Sequence, residues 1–231
     1  MDLRESSKKG NISLNNGRHP WEQARLTFIK KIISRNIIIP EKSLVYDIGC
    51  GDTYVVENLA SIFPESLFFA IDTAFTGELL TVYKKNISLK NVFLFQSVSE
   101  IPILPEKKTS LVILTDVIEH VKDDKEFISG ILRNKQIGSQ TLFLITVPAF
   151  NFLFCSHDKF LGHYRRYSNR SLKQTLQNSG LEVITIGYFF FSLLPFRFLE
   201  VLFEKLFKFM DRNKTTGIVR WKQGRAVSEI F

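Results

Sequence analysis

Between Ser156 and Ser168 the chain reads Ser156-His157-Asp158-Lys159-Phe160-Leu161-Gly162-His163-Tyr164-Arg165-Arg166-Tyr167-Ser168, a dense run of groups that handle protons and anions. His157 or His163 can take the proton of a hydroxyl nucleophile, a general-base contribution of about 10² to 10⁴ in rate. Asp158 can orient an imidazole. Arg165 and Arg166 can clamp a phosphate or carboxylate, with Tyr164 and Tyr167 beside them as further substrate contacts. Gly162 keeps the segment from being one helix. A purely structural reading stands next to the catalytic one: a loop knitted by His–backbone and Arg–carboxylate bonds.

A second constellation lies upstream, at Val45-Tyr46-Asp47-Ile48-Gly49-Cys50-Gly51-Asp52-Thr53. Leu44 to Ile48 has the apolar pattern of a buried parallel strand. Gly49 and Gly51 permit positive φ and let a ligand approach the backbone. From Thr53 to Phe63, apolar residues recur at helical spacing, with Pro64 as a stop. A strand, a glycine turn and a helix N-terminus together bind small polar ligands through free N–H groups. A dinucleotide loop needs a third glycine for close helix–strand packing, and Tyr54 stands there instead. The Asp47 carboxylate at the strand end suits a ligand with an amino group and repels pyrophosphate.

Further acids follow at regular stations. Leu67 to Asp72 is another apolar run, and Asp72 sits about 20 residues beyond the turn, the interval for a carboxylate that grips ribose hydroxyls. Leu111 to Thr115 leads into Asp116-Val117-Ile118-Glu119-His120-Val121. Taken in order, Asp47-Ile48-Gly49-Cys50-Gly51, Asp72 and Asp116 to Val121 resemble the motifs of class I S-adenosylmethionine-dependent methyltransferases. The run from His157 to Tyr167 is similar to the H-D-x-x-L-G-H-Y-R-R-Y signature of a subgroup connected with lipid-linked or polysaccharide biosynthesis. The resemblance implies a cofactor, S-adenosylmethionine, held by Asp47, Gly49, Cys50, Gly51 and Asp72. It also lays Asp116, Val117 and His120 along that cofactor.

The chain departs from the family at two stations. Where the family has Gly-Asp, whose acid contacts the adenine amino group, alignment on Ile101-Pro102 puts Gln96-Ser97. Ser97 then accepts that hydrogen bond as a neutral group, at roughly half the strength of a charged one. Thr109-Ser110 replaces an aromatic-Asp pair. In some relatives that make quinones, acidic-His segments like Asp116, Glu119 and His120 ligate a divalent metal, yet two carboxylates and one imidazole make a thin site, so no metal is assigned.

These residues need a scaffold. The pattern predicts a helix from Pro20 with Trp21, Ala24, Phe28, Ile29, Ile32 and Ile33 on one face. It then predicts strands at 44–49, 67–72, 92–97, 111–116, 141–147 and 181–189, and helices at 53–63, 76–85, 123–135 and 169–179. Alternation of this kind implies an α/β fold, doubly wound around a mostly parallel sheet. The family resemblance makes the sheet seven-stranded, with Arg225 to Phe231 the one remaining candidate for its last strand. The organisation expected is a flexible polar tail at 1–17, a methyltransferase domain at 18–190, and a C-terminal hydrophobic helical insert at 191–231.

That insert is the least ordinary element. Taken as a helix, Phe196 to Met210 puts Arg197, Glu200, Glu204 and Lys208 on one face and Phe198, Leu199, Leu202, Phe203, Leu206, Phe209 and Met210 on the other. The preceding apolar run is far too short to span a bilayer, which takes about 20 residues, and Pro195 interrupts it. Either the helix packs on the core or it lies in a membrane interface.

Composition narrows the function classes. The 231 residues are 45% hydrophobic with 22 Phe, enough for one globular α/β domain. The 31 Lys and Arg against 23 Asp and Glu give +8, favouring anionic surroundings without choosing among lipid, phosphorylated substrate and nucleic acid. Cys50 and Cys155 lack metal-type spacing, and a disulfide in the glycine turn would be unhelpful, which favours a reducing, cytoplasmic setting, peripheral at the membrane if the helix meets lipid. The leading expectation is methyl transfer to a hydroxyl or carboxyl of a small or lipid-linked molecule. A scaffold that kept the fold and lost the chemistry is the alternative. A nucleic-acid methyltransferase is disfavoured, because Thr115-Asp116-Val117-Ile118 stands where base amino-methylators carry Asn-Pro-Pro-aromatic.

Overall fold

Asp47, Asp72 and Asp116 all fall at the ends of parallel strands, and the sheet that carries them explains why. The computed structural model describes residues 18–104 and 107–206. The polar tail at 1–17, the candidate strand Arg225 to Phe231 and the end of the C-terminal helix lie outside the described residues. The chain divides into two compact units, one made of residues up to Val117 with Gly130–Thr146, the other of Ile118–Ser129 with the residues from Val147 onward.

In the first unit, helix α1 (Pro20–Asn36) begins where Pro20 fits the first helical turn and His19 accepts the Trp21 N–H. It buries Leu26, Ile29 and Ile33 in the unit's apolar core. Strands β1 (Leu44–Ile48), β2 (Leu67–Ile71), β3 (Val92–Phe95), β4 (Thr109–Thr115) and β5 (Leu142–Thr146) form one parallel sheet in the order β3-β2-β1-β4-β5. Helices α2 (Tyr54–Ala60) and α3 (Gly77–Asn86) connect its first three strands. Every residue of β1 is buried, as an interior strand of a parallel sheet requires. The winding reverses at β1, whose neighbours are β2 and β4. Ligands of such sheets bind outside the carboxyl ends of the strands at that reversal. The glycine turn and Asp72 and Asp116 all emerge there.

The second unit holds a 3₁₀ turn at Ile118–His120, the start of α4 (Asp124–Leu132), then α5 (Ser156–Leu161), α6 (Asn169–Asn178) and α7 (Leu194–Leu206). A lone bridge pairs Ala149 with Tyr167. Leu153, Cys155 and Val201 form a small core with Phe150 and Leu194.

The structure corrects one expectation. Residues 181–189 are not a strand, and Ile184 is 80% exposed. A strand exists only through a hydrogen-bonded neighbour, and none pairs with this segment among the described residues. The described sheet therefore has five strands, and the remaining candidate, Arg225 to Phe231, lies outside the described residues. Pro195 stands in the first turn of α7, where its missing N–H is no loss, just past the separate 3₁₀ turn Phe191–Leu193.

Helix α7 is amphipathic as expected, yet its polar side faces the chain. Arg197 reaches Cys155 Sγ at 3.0 Å, Glu204 accepts the Ser156 N–H at 3.0 Å, and Val201 between them is buried. Phe196, Leu199, Leu202 and Phe203, on the opposite side, are exposed. No described helix is long and apolar enough to cross a membrane.

Candidate functional site

The turn after β1 is shaped by what its glycines make possible. Gly49 has φ +73° and Gly51 φ +59°, both in the left-handed region. A Cβ on Gly49 would lie 2.6 Å from Val117 Cγ2, so the turn and the residue after Asp116 touch only because no side chain intervenes. The Gly49 and Cys50 N–H groups donate to Ile71 O at 2.7 and 3.2 Å, tying the turn to the end of β2. Cys50 is buried, and burial pushes its thiol well above the ordinary range, so it is a packing residue and no nucleophile.

Asp47 is the chemical anomaly of this unit. Its side chain is fully buried, and neither carboxylate oxygen has a hydrogen-bond partner. Burial pushes its pKa up to about 7, against the opposing pull of the Arg25 charge. A buried, unpaired carboxylate costs free energy unless a donor satisfies it. A ligand ammonium is the donor that would, so the residues fit a cofactor bearing one.

Asp72 stitches the cleft together. One of its oxygens accepts the Gly51 N–H at 2.9 Å and the other the Ala74 N–H at 2.9 Å. Asp116, at φ +55°, forms an ion pair with Arg25 and accepts from Thr146 Oγ1 at 3.2 Å. Ser97, beyond β3, is half-buried and shares a 2.6 Å hydrogen bond with Ser99. The structure thus gathers Asp47, Gly49, Cys50, Gly51, Asp72 and Val117 around one turn, with Asp116 joined to them through Arg25.

In the second unit Asp158 is the hub. It is fully buried on the first turn of α5, where one oxygen accepts the Cys155 N–H at 2.9 Å. The other lies 2.8 Å from His163 Nδ1 and 2.8 Å from Arg166 Nε. Burial alone would raise its pKa, but the bonds from His163 and Arg166 outweigh it and hold the carboxyl well below the usual range. Gly162 ends α5 at φ +82°, and that reversal brings His163 back to Asp158. His157 stands half-buried next to Asp158 in the helix.

Around the hub, His163 packs edge-on against His120 with ring centroids 4.5 Å apart. Glu119 is fully buried, and donor atoms of Glu119, His120 and His163 lie within 4.8 Å of one another. Arg165 pairs with Asp124 at 2.8 Å, and the same carboxylate accepts the Tyr167 hydroxyl at 2.7 Å. Burial and that bond push the Tyr167 pKa far up, so it stays a neutral donor. Tyr164 is 55% exposed, with the Arg165 guanidinium 5.9 Å from its ring centre.

Sequence reasoning missed Arg25 and Asp124. Arg25 is a charge one position before the buried Leu26 of α1, and only tertiary structure shows that its head reaches Asp116. Asp124 looks like an ordinary acid in a first helical turn, yet it anchors both Arg165 and Tyr167. Another ion pair, Arg18 with Asp52, sets the guanidinium 4.2 Å above the Tyr54 ring.

Residues 21–186 match the family described as methyltransferase domain. No curated protein matches the chain in sequence. Among solved structures, it is similar to the complex between the Haloferax volcanii Trm112 methyltransferase activator and its methyltransferase partner (TM-score 0.55, 16% identity, covering 81% of this chain and 87% of that one). It is similar to a protein described as an O-methyltransferase from Nostoc punctiforme (TM-score 0.51, 15% identity, 79% and 62% covered). It is also similar to LepI in complex with S-adenosylmethionine (TM-score 0.51, 16% identity, 71% and 43% covered).

Proposed function

The chain belongs to the methyltransferase-domain family, and on that premise we propose that it methylates a hydroxyl or carboxyl oxygen of a small or lipid-linked molecule, using S-adenosylmethionine. The carrying observation is the buried Asp47 carboxylate, without a partner at the lip of the glycine turn. S-adenosylmethionine, when bound, supplies an activated methyl group on sulfur and an ammonium. Asp47 would hold that ammonium, Asp72 the ribose hydroxyls, and the Gly49-Cys50-Gly51 backbone would line the ligand. Ser97 would meet the adenine amino group, with Asp116, Val117 and His120 along the cofactor. LepI was solved with S-adenosylmethionine and the Nostoc protein is described as an O-methyltransferase, which supports the cofactor and an oxygen acceptor.

On the acceptor side, an ionised Asp158 accepting from the Nδ1–H of His163 would leave Nε2 as the nitrogen that can take a proton. A hydroxyl losing its proton to Nε2 becomes the better nucleophile, and the ionised Asp158 stabilises the imidazolium. A carboxylate acceptor needs no base. His157 is the second candidate for the same duty. Tyr164, exposed, and Arg165, half-buried against Asp124, would supply substrate contacts, while Arg166 and Tyr167 position the segment through Asp158 and Asp124.

Calorimetry with S-adenosylmethionine tests the cofactor half: micromolar binding is expected, and no binding would leave only a scaffold. Tritiated-methyl transfer to small-molecule and lipid extracts tests the acceptor half, with loss of label in His163→Ala expected. Retained transfer in that variant would remove His163 as base. Labelling of RNA alone would replace the substrate class.

A further inference from the structure

We propose that the outward face of α7 is a binding surface for anionic lipid bilayers. Its charged stripe is already engaged with the chain, through Arg197 to Cys155 and Glu204 to Ser156. What remains outside is apolar: Phe196 is 67% exposed, Phe203 57% and Leu199 48%, with Leu202 beside them. Phe152 and Phe191 extend the patch, and the Phe152 ring sits edge-on to Phe198 at 6.4 Å. Contiguous exposed apolar area of this kind marks an interaction site.

Charge chooses the occupant. The 25 residues that follow α7 in sequence, 207–231, hold six lysines and arginines against two acids, a surplus of four positive charges, and interleave them with Phe207, Phe209 and Trp221. An apolar helix face followed in sequence by basic and aromatic residues has the composition that suits a headgroup layer of negative charge over hydrocarbon. A neutral protein groove would use the apolar face and leave the basic segment unmatched. The short apolar stretch excludes a spanning arrangement for α7 itself. The surface reading deepens the lipid-linked half of the proposed function, yet it is measured without turnover, so each can fail alone.

The test is sedimentation of the full chain with vesicles of phosphatidylcholine containing about one-third phosphatidylglycerol. Binding that weakens with salt and drops on pure phosphatidylcholine is expected. The triple variant Phe196→Ser, Leu199→Ser, Phe203→Ser removes only outward side chains, and circular dichroism checks that it folds. Its partition coefficient should fall roughly 100-fold. Lys208→Gln, Arg212→Gln, Lys214→Gln should lower it by a similar factor, on the order of fivefold per charge. No pull-down by anionic vesicles, or equal binding by the triple variant, overturns the proposal. So does self-association that the triple variant abolishes while lipid binding is absent, since the face would then be an interface between copies.

Discussion

Replacing Asp47 by Asn isolates the electrostatic stress stored beneath the glycine turn. Burial moves this carboxyl from 3.8 to about 7, a displacement of about three pH units, worth about 4 kcal/mol at 1.36 kcal/mol each. The folded pKa lies above the unfolded one, so the native state holds its proton more tightly. The contribution to stability is therefore full below about pH 4 and is lost as pH rises through about 7. Asp47→Asn cannot ionise and escapes that loss. Relative to wild type, the ligand-free variant should gain up to about 4 kcal/mol between pH 4 and pH 8, a widening gap of roughly 8–16 °C in Tm for a chain of this size. An unsatisfied amide costs the variant about 1–3 kcal/mol at every pH, so the pH dependence of the gap is diagnostic, not its absolute value. The same carboxylate should grip the cofactor's ammonium. Affinity for S-adenosylmethionine should fall about tenfold per pH unit below about 7 in wild type and be weak and pH-independent in Asp47→Asn. Thermal denaturation across that pH range, with calorimetry in buffers of different ionisation enthalpy, measures both. Parallel Tm curves for the two proteins, or a wild-type affinity flat from pH 5.5 to pH 8, would refute the reasoning.

Other expectations follow from the same geometry. Gly49→Ala should cost about 1–3 kcal/mol in urea denaturation and weaken cofactor binding, because its methyl would meet Val117 in a conformation L-residues avoid. Asp158→Ala should destabilise the chain by about 3–5 kcal/mol, since it strips the buried partner from Arg166 and His163 together. The depressed Asp158 pKa means its stabilisation is present above about pH 4 and lost as pH falls below, so acid unfolding of wild type should be steeper there than that of Asp158→Asn. Arg25→Met removes the positive charge that holds Asp47 down, so it should raise the Asp47 pKa further, shifting the pH at which cofactor affinity falls upward.

Much of the first unit was legible in the chain. The apolar runs that begin at Leu44, Leu67 and Leu111 became the central strands because a parallel strand buried on both faces leaves a continuous signal. Asp47, Asp72 and Asp116 were legible as a set: an acid after a strand is ordinary in a turn, but these three stand in family order around one glycine turn. The rest depended on partners distant in sequence. The apolar segment 181–189 has strand composition, but composition cannot supply a neighbour for its N–H groups. Helix α7 was legible as amphipathic, whereas the direction in which it turns its apolar side is set by Arg197 and Glu204 finding Cys155 and Ser156. In the 156–168 run the sequence offered Asp158 as orienter of either histidine; the left-handed turn at Gly162 decides for His163.

The double grip of Asp72 on Gly51 and Ala74 has a bearing on speed as well as strength. A carboxylate that already fastens the bend after β1 to the start of the following loop keeps the cradle in shape before any nucleoside arrives. Little chain entropy then remains to be lost on association, so capture should proceed by simple collision rather than by waiting for a rare open-and-ordered state. Sugar hydroxyls arriving at Asp72 would find lone pairs aimed by two amides, and would bind an anvil, not a hinge.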